Sequence, residues 1–196
     1  MGERRCYRNM DRQLGVYFLL SRFDVVQLSA VLHRLPDRSR YAFLLVLMTI
    51  SFTGLFAIPL TYAITDQPKF AAYPFHPLQA SLGVVVLVAA MALFYRTHRN
   101  LGRAWSVTLE IRKEHRLVTH GIYARLRHPM YAAFWLWALS QALLLPNWIA
   151  GPAGLVGFGT LFFLRVGREE ALMIETFGDE YRRYMARTAR ILPGIY

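Results

Sequence analysis

The hydrophobic positions of this chain fall in long uncharged runs. Residues 42–64 and 78–95 contain no charged side chain. A helix rises about 1.5 Å per residue, so the first run measures about 34 Å, enough to cross a hydrocarbon core of about 30 Å. We therefore predict a transmembrane helix in each run. Pro59 can kink the first helix, which a helical bundle tolerates.

A third uncharged stretch, residues 129–164, is too long for one crossing and barely long enough for two. The sequence "LLLPNW" in its middle favours a break. We predict a tight helical hairpin with arms at about 131–145 and 148–164. The second arm contains glycines that provide a small face for close helix packing. They are Gly151, Gly154, Gly157 and Gly159.

The arginines orient these helices. The net charge is +11, and 21 of the 23 basic residues are arginine. Residues 96–127 and the tail from Arg165 are rich in arginine, which predicts that both are cytoplasmic. The loop 65–77 and the turn at Asn147 should then lie outside. The expected fold is an all-α, polytopic integral membrane bundle with four transmembrane helices.

Three regions follow from this topology. Residues 1–40 form a basic N-terminal segment, in which residues 14–34 are either an interfacial helix or an imperfect fifth span. Residues 41–95 form the first transmembrane hairpin. Residues 96–196 form a region with the second hairpin and a cytoplasmic, amphipathic C-terminal helix that we expect to break at Gly178.

The amino-acid composition limits the classes of molecule that this chain can be expected to bind. A strongly basic chain suits nucleic acid or an anionic membrane surface, and the uncharged runs favour membrane lipids. We expect no nucleic-acid partner. The single cysteine, Cys6, excludes an internal disulfide and a cysteine-based metal cluster. The histidines lack the spacing of a paired helical metal site, so no metal is expected.

Polar residues at the edges of the apolar runs are the candidates for chemistry. Arg165 and Glu169 are four residues apart and share a helix face. They are either an interfacial arginine with a local ion pair or a buried pair in a site near the membrane boundary. In "RLRHPMY", Pro129 suits the first turn of a helix, which puts Arg127 and His128 where donors can converge on a negative group. The alternative is a basic flank anchored by Tyr131.

The ordered combination of motifs over about residues 95–196 resembles a known family. It consists of "LVTHGIYARLRHPMY", an uncharged hairpin, Arg165 followed by "EE", and "FGDEYRRYMARTARILPGIY". This combination resembles the isoprenylcysteine carboxyl methyltransferase family, in particular its short prokaryotic members. Phospholipid N-methyltransferases and, more distantly, membrane sterol reductases share parts of it. The resemblance implies a multi-pass membrane enzyme that uses S-adenosylmethionine and whose active site faces the cytoplasm.

The resemblance also implies roles for particular residues. Arg165 matches an arginine placed at the methyl acceptor, and Glu169 matches an acidic residue that contacts the cofactor. The other cofactor-pocket positions are His115, Leu117, Val118, Tyr123, His128, Pro129, Met130 (mainly through its backbone) and Tyr131. We expect carboxyl O-methylation of a prenylated cysteine or a similar lipophilic carboxylate. The alternatives are phospholipid N-methylation, an NADPH-dependent reductase and a non-enzymatic membrane scaffold.

Overall fold

The structure is a computed structural model that describes residues 38–101 and 117–192. The chain divides into two units, with the boundary between Val46 and Leu47. Only the helical residues 38–46 of the first unit are described, and the helices that position the site belong to the second unit. The predicted interfacial helix or fifth span at residues 14–34 lies outside the described residues.

The regular elements of the described residues are helical, which confirms the all-α prediction for this part of the chain. Isolated bridges join Ala72 to Asn147 and Leu126 to Ala189. Short 3-10 turns lie at Lys69–Ala71 and Gly121–Ala124. The longer helices are α1 (Arg38–Phe52), a π-helical turn (Thr53–Ala57), α2 (Ile58–Thr65), α3 (Pro77–Leu101), α4 (Pro129–Leu144), α5 (Ala153–Phe177) and α6 (Asp179–Met185).

The first two uncharged runs are helices of the predicted kind. Tyr41–Thr65 and Pro77–Asn100 are each long and apolar enough to cross a membrane. The π-helical turn, and not a simple kink, accommodates Pro59. Proline has no N–H to donate to the carbonyl four residues earlier, which belongs to Leu55. The side chain of Gln141 donates to that carbonyl instead, at 2.7 Å.

The second hairpin differs from its prediction in its bounds. Helix α4 has 16 residues, about 24 Å, which is shorter than a hydrocarbon core. Helix α5 begins at Ala153 and not near residue 148, because Asn147 organises a longer turn. Its side-chain oxygen accepts hydrogen bonds from the amides of Ile149 and Ala150, both at 2.9 Å. Four transmembrane helices therefore remain a prediction, and within the described residues two helices meet the length and hydropathy of a span.

The two loops predicted to lie on the same side of the membrane touch each other. The amide of Trp148 donates to the carbonyl of Ala71 at 2.9 Å. The side chain of Asn147 donates to the carbonyl of Pro68 at 2.8 Å. These bonds join the loop between α2 and α3 to the turn between α4 and α5, so this end of the bundle is closed by backbone contacts.

Glycines allow α5 to approach the chain around the π-helical turn. A Cβ atom at Gly157 would lie 2.7 Å from the carbonyl oxygen of Ile50 and 3.1 Å from the Cα of Gly54. A Cβ at Gly154 would lie 2.6 Å from the side chain of Gln141. The predicted small face is confirmed at these positions. Gly151 is an exception, because it lies in the turn before the helix.

Helix α5 continues without interruption from its apolar first half through the charged segment to Phe177. Gly178 then adopts a φ of 55°, a conformation that glycine tolerates best, and α6 begins at Asp179. The predicted break at Gly178 is confirmed. As a result, one rigid helix holds both the apolar packing face and the polar residues Arg165, Glu169 and Glu170.

Candidate active site

The end of the bundle opposite the Asn147 turn is built from two chain segments that lie side by side. The amides of Arg127 and His128 donate to the carbonyls of Ala189 and Arg190 at 2.8 and 3.0 Å. The amide of Ala189 donates back to the carbonyl of Arg125 at 3.1 Å. This pairing fixes the chain that enters α4 against the C-terminal segment.

Tyr184 adds a side-chain link between the same segments. Its hydroxyl donates to the carbonyl of Tyr123 at 2.6 Å. Burial raises the pKa of Tyr184 to about 12, so the phenol keeps its proton at neutral pH and acts as a donor. The contact to Tyr123 uses the backbone of that residue. Its side chain is half-buried, and burial raises the pKa of its phenol too.

Arg165, Glu169 and Tyr131 form the first part of the site. The Nε of Arg165 donates to Oε1 of Glu169 at 2.5 Å, one helical turn further along α5. The hydroxyl of Tyr131, on α4, donates to the same oxygen at 2.8 Å. The charged side chains are about 14% and 13% exposed, so most of this pair is shielded from solvent, which favours the interpretation of a buried pair. Both donors from the described residues use Oε1, which leaves Oε2 for another partner.

Glu170 forms the second part of the site and is almost completely buried, with 4% of its surface exposed. Arg127 donates from Nε to its Oε1 at 3.1 Å. Arg190 donates to both oxygens, at 3.1 and 2.6 Å. Arg127 also donates to the backbone carbonyls of Met185 and Thr188. The adjacent glutamates thus have different partners.

The cations around Glu170 set its ionisation. Burial opposes the charged form, but the contacts with His128, Arg190 and Arg127 outweigh it. The pKa of the carboxyl falls from its ordinary value of 4.5 to about 2. Glu170 lies beyond Leu164, where the predicted span ends. Because its pKa is this low, it is a carboxylate at physiological pH.

His128 lies between the two glutamates. Its Nδ1 is 3.9 Å from Oε2 of Glu169, and its Nε2 is 3.3 Å from Oε1 of Glu170. The ring stacks on Tyr131 with centroids 5.5 Å apart. The Nε2 atom is buried, and the described residues give it no hydrogen bond of good geometry. The imidazole is therefore a buried polar group at the centre of the cluster.

Pro129 is the first residue of α4, as the sequence predicts, and it is buried. The first intrahelical hydrogen bond is donated by Ala132 to the carbonyl of His128, at 3.1 Å. The amides of Met130 and Tyr131 precede that bond and have no carbonyl partner within the helix. They are two backbone donors in the same first turn of α4 as Tyr131, whose hydroxyl contacts Glu169.

The remaining predicted positions are placed less closely. Leu117 and Val118 are half-buried in an irregular segment that leads to the 3-10 turn at Gly121–Ala124. His115 lies outside the described residues. The structure thus brings together Arg165, Glu169, His128 and Tyr131.

Two important residues, Glu170 and Arg190, were not predicted. The doublet of glutamates after Arg168 contains a usable signal, because adjacent helical residues point about 100° apart. Only Glu169 can share the face of Arg165, so Glu170 must face a different partner. No local pattern indicates Arg190, whose contact with Glu170 requires the turn at Gly178.

The helices that hold this cluster also line an apolar cavity of about 640 Å³. Its lining includes Leu126 and Ala132, which are the chain neighbours of Arg127 and Tyr131. Its walls come from α3, α4, α5 and the C-terminal segment. The lining residues are Leu93, Leu126, Ala132, Trp135, Leu136, Leu139, Leu155, Ile191 and Leu192.

Comparison with known proteins bears on this arrangement. Residues 82–175 match the model of the isoprenylcysteine carboxyl methyltransferase family. The resemblance predicted from the sequence is thereby confirmed. The matched region contains α4, the polar residues of α5 and most of α3.

Curated relatives of this family give the same result. The chain is 39% identical to a protein-S-isoprenylcysteine O-methyltransferase of Schizosaccharomyces pombe over 83 residues, which are 42% of this chain and 35% of the relative. It is 25% identical to protein-S-isoprenylcysteine O-methyltransferase A of Arabidopsis thaliana over 152 residues, 76% of this chain and 77% of the relative. The chain spans about a third of the length of the first relatives it matches.

A solved structure supports the fold. The structure of a eukaryotic intramembrane Ras methyltransferase, an isoprenylcysteine carboxyl methyltransferase, matches with a TM-score of 0.55 and 23% identity. The match covers 82% of this chain and 55% of the other. At this identity the likeness concerns the fold alone, and the fold it supports is that of an intramembrane helical protein.

Proposed function

We propose that this protein is a membrane-embedded, S-adenosylmethionine-dependent methyltransferase that methylates the carboxylate of a lipophilic acceptor, such as a prenylated cysteine. The observation that carries the proposal is that α4 and α5, which hold the Arg165–Glu169–Tyr131 cluster, also line an apolar cavity. A lipidated carboxylate has an apolar part and a negative part. The cavity can accept the apolar part, and Arg165 can bind the negative part. The match to the methyltransferase family supports the same reaction.

The chemistry of the cluster fits the proposed methyl donor. When bound, S-adenosylmethionine supplies a methyl group activated by a sulfonium cation. Oε2 of Glu169 can accept a hydrogen bond from its amino group. The amides of Met130 and Tyr131 at the start of α4 can donate to its carboxylate, as helix starts do for anions.

His128 and the tyrosines complete this assignment. The buried Nε2 of His128 needs a partner of better geometry than Glu170 provides. The aromatic face of Tyr131 can favour a cation nearby. His115, Leu117, Val118 and Tyr123 are proposed to enclose the rest of the donor, as the family resemblance implies.

Arg165 is proposed to hold the acceptor. Its contact with Glu169 uses Nε, and the other guanidinium nitrogens can hold a carboxylate through two parallel hydrogen bonds. A carboxylate is already a nucleophile at neutral pH, so the reaction needs no strong general base. Correct alignment of the two reacting groups is then the main contribution of the protein.

The proposed topology follows from the charge distribution. The site lies at the arginine-rich end of the bundle, which we place in the cytoplasm, and the paired loops near Ala71 and Asn147 lie outside. Labelling of single introduced cysteines in a Cys6→Ser background tests it. Positions 73 and 148 should react with an impermeant reagent from outside, and position 187 should not. Labelling of position 187 from outside would contradict the four-span arrangement.

The function is tested with purified protein in detergent or nanodiscs. Methyl transfer from labelled S-adenosylmethionine is measured to a farnesylated cysteine and, separately, to phosphatidylethanolamine. We expect transfer to the carboxylate, at a rate nearly constant between about pH 6.5 and 8.5. Transfer to the amine alone, with a rate that climbs with pH, would replace the proposal with phospholipid N-methylation. Binding of NADPH without binding of S-adenosylmethionine would exclude both.

A further inference from the structure

The C-terminal strap, residues 186–192, is fastened beside the site. Its backbone pairs with residues 125–128 through three hydrogen bonds of 2.8 to 3.1 Å. It lies outside the residues that match the family model, 82–175. The backbone pairing ends at Arg190 and thereby restricts the position of the next two residues of the strap, Ile191 and Leu192.

Side chains reinforce this attachment. Glu170, on α5, pairs with Arg190 of the strap and with Arg127, which precedes α4. Arg127 also donates to the carbonyls of Met185, the last residue of α6, and of Thr188 in the strap. One buried carboxylate thus joins α5, the entry to α4 and the strap.

The strap residues after Arg190 line the apolar cavity. Ile191 and Leu192 form one wall of the cavity of about 640 Å³, opposite leucines of α3 and α4. Leu192 is also half-exposed, so it lies at the rim. The volume lies within the range of about 300–1,000 Å³ that is usual for ligand pockets.

We propose that Glu170 is a positioning residue that holds the strap in place, so that Ile191 and Leu192 select the length of the acceptor's lipid chain. This inference rests on the proposed function. Glu169 and Glu170 then have separate tasks. Glu169 serves the methyl donor, whereas both oxygens of Glu170 are occupied by arginines and serve the wall of the acceptor cavity.

The division of tasks predicts a separation between the two substrates. Loss of Glu170 should raise the KM for the acceptor and leave the affinity for S-adenosylmethionine unchanged. Loss of Glu169 should weaken the binding of S-adenosylmethionine and leave the KM for the acceptor unchanged. If Glu170 had a purely structural role, its loss would lower the apparent kcat and the number of S-adenosylmethionine binding sites in parallel with the fraction of folded protein.

The test measures kcat and KM for cysteine thioethers that carry geranyl, farnesyl or geranylgeranyl chains. Ile191→Ala and Leu192→Ala should shift the ratio of kcat/KM toward the longer chain by about tenfold, since a change of this size in an apolar pocket discriminates by that amount. Val156→Ala is the matched control, because Val156 is an exposed aliphatic residue of α5 outside the cavity lining. It should keep the wild-type preference.

Glu170→Gln should raise the acceptor KM about tenfold and flatten the chain-length preference. Arg190→Lys, which keeps the charge, should retain most of the preference, whereas Arg190→Met should not. Ile191→Ala and Leu192→Ala leave the ion pairs of Glu170 intact. They therefore test whether the strap selects chain length even if Glu170→Gln does not fold.

The two hypotheses fail in different ways. If the wild type methylates none of the prenylated cysteines, the proposed function is wrong. If it methylates them and the wall variants keep the wild-type preference, only the inference about the strap is wrong. A loss of S-adenosylmethionine affinity in Glu170→Gln equal to that in Glu169→Gln also overturns it.

Discussion

Tyr131 donates its hydroxyl hydrogen to Oε1 of Glu169 at 2.8 Å, the same oxygen that accepts from Arg165. The tyrosine ring is held edge-on by Phe158 and Phe162, with centroids 5.9 and 5.4 Å away. An aromatic core therefore fixes the direction of a donor, and the donor fixes the carboxylate. This relationship connects the apolar packing of α4 and α5 to the chemistry at their end.

Tyr131→Phe should weaken the binding of S-adenosylmethionine about tenfold. The ring and its packing remain, but Glu169 loses a hydrogen bond to a charged group, which is worth about 1.5–3 kcal/mol. Isothermal titration calorimetry measures the change. Tyr73→Phe is the matched control, because its hydroxyl donates to the carbonyl of Leu145 at the other end of the bundle. Equal affinity in both variants would exclude Glu169 from the donor site.

Arg165→Lys should fold and bind S-adenosylmethionine, yet methylate a farnesylated cysteine about a hundredfold more slowly. Lysine keeps the charge beside Glu169 but lacks the planar pair of donors, so the acceptor carboxylate is held loosely. Single-turnover methyl transfer isolates this step from product release. Arg168→Lys, three residues further on the same helix, is the control and should keep the wild-type rate. A wild-type rate in Arg165→Lys would make Arg165 an interfacial anchor only.

The sequence predicts those features that depend on local spacing. Arg165 and Glu169 meet because residues four apart on a helix always share a face. Pro129 begins α4 because proline suits the first turn. Both outcomes follow from helix geometry and need no knowledge of the tertiary fold.

Features that depend on distant segments could not be predicted in this way. The bonds of the strap to the start of α4 join residues about 60 positions apart in the chain. The start of α5 was wrong by several residues, because the side chain of Asn147 extends the turn through two hydrogen bonds that hydropathy does not indicate. In the π-helical turn, the carbonyl of Leu55 similarly accepts from Gln141, which belongs to another helix.

Gly157→Ala should destabilise the bundle. An added Cβ would lie 2.7 Å from the carbonyl oxygen of Ile50, and a backbone atom cannot move aside as a flexible side chain can. Overpacking of this kind costs about 1–3 kcal/mol. Thermal unfolding in a mild detergent measures it. Gly167→Ala is the matched control on the same helix, since a Cβ there meets nothing within 4 Å, and it should be as stable as the wild type or more so.

Glu170 should make the stability of the protein depend on pH in the acid range. Its pKa is about 2 in the folded protein and 4.5 as its ordinary value, so the folded state favours the carboxylate. The stabilisation is complete above about pH 4.5 and is lost as the pH falls toward 2, since protonation then removes the charge that Arg127 and Arg190 require. At neutral pH, Glu170→Gln removes the carboxylate that pairs with Arg127 and Arg190, and the loss of such a buried ion pair should cost about 3–5 kcal/mol.

The measurement is the unfolding temperature of the wild type and of Glu170→Gln between neutral pH and the lowest pH that the detergent allows. The wild type should be more stable at neutral pH, and the difference should shrink steadily below about pH 4.5. Glu175→Gln, at an exposed position of the same helix, is the control and should follow the wild type. A constant difference between wild type and Glu170→Gln across the acid range would show that the ionised carboxylate of Glu170 does not fasten the strap.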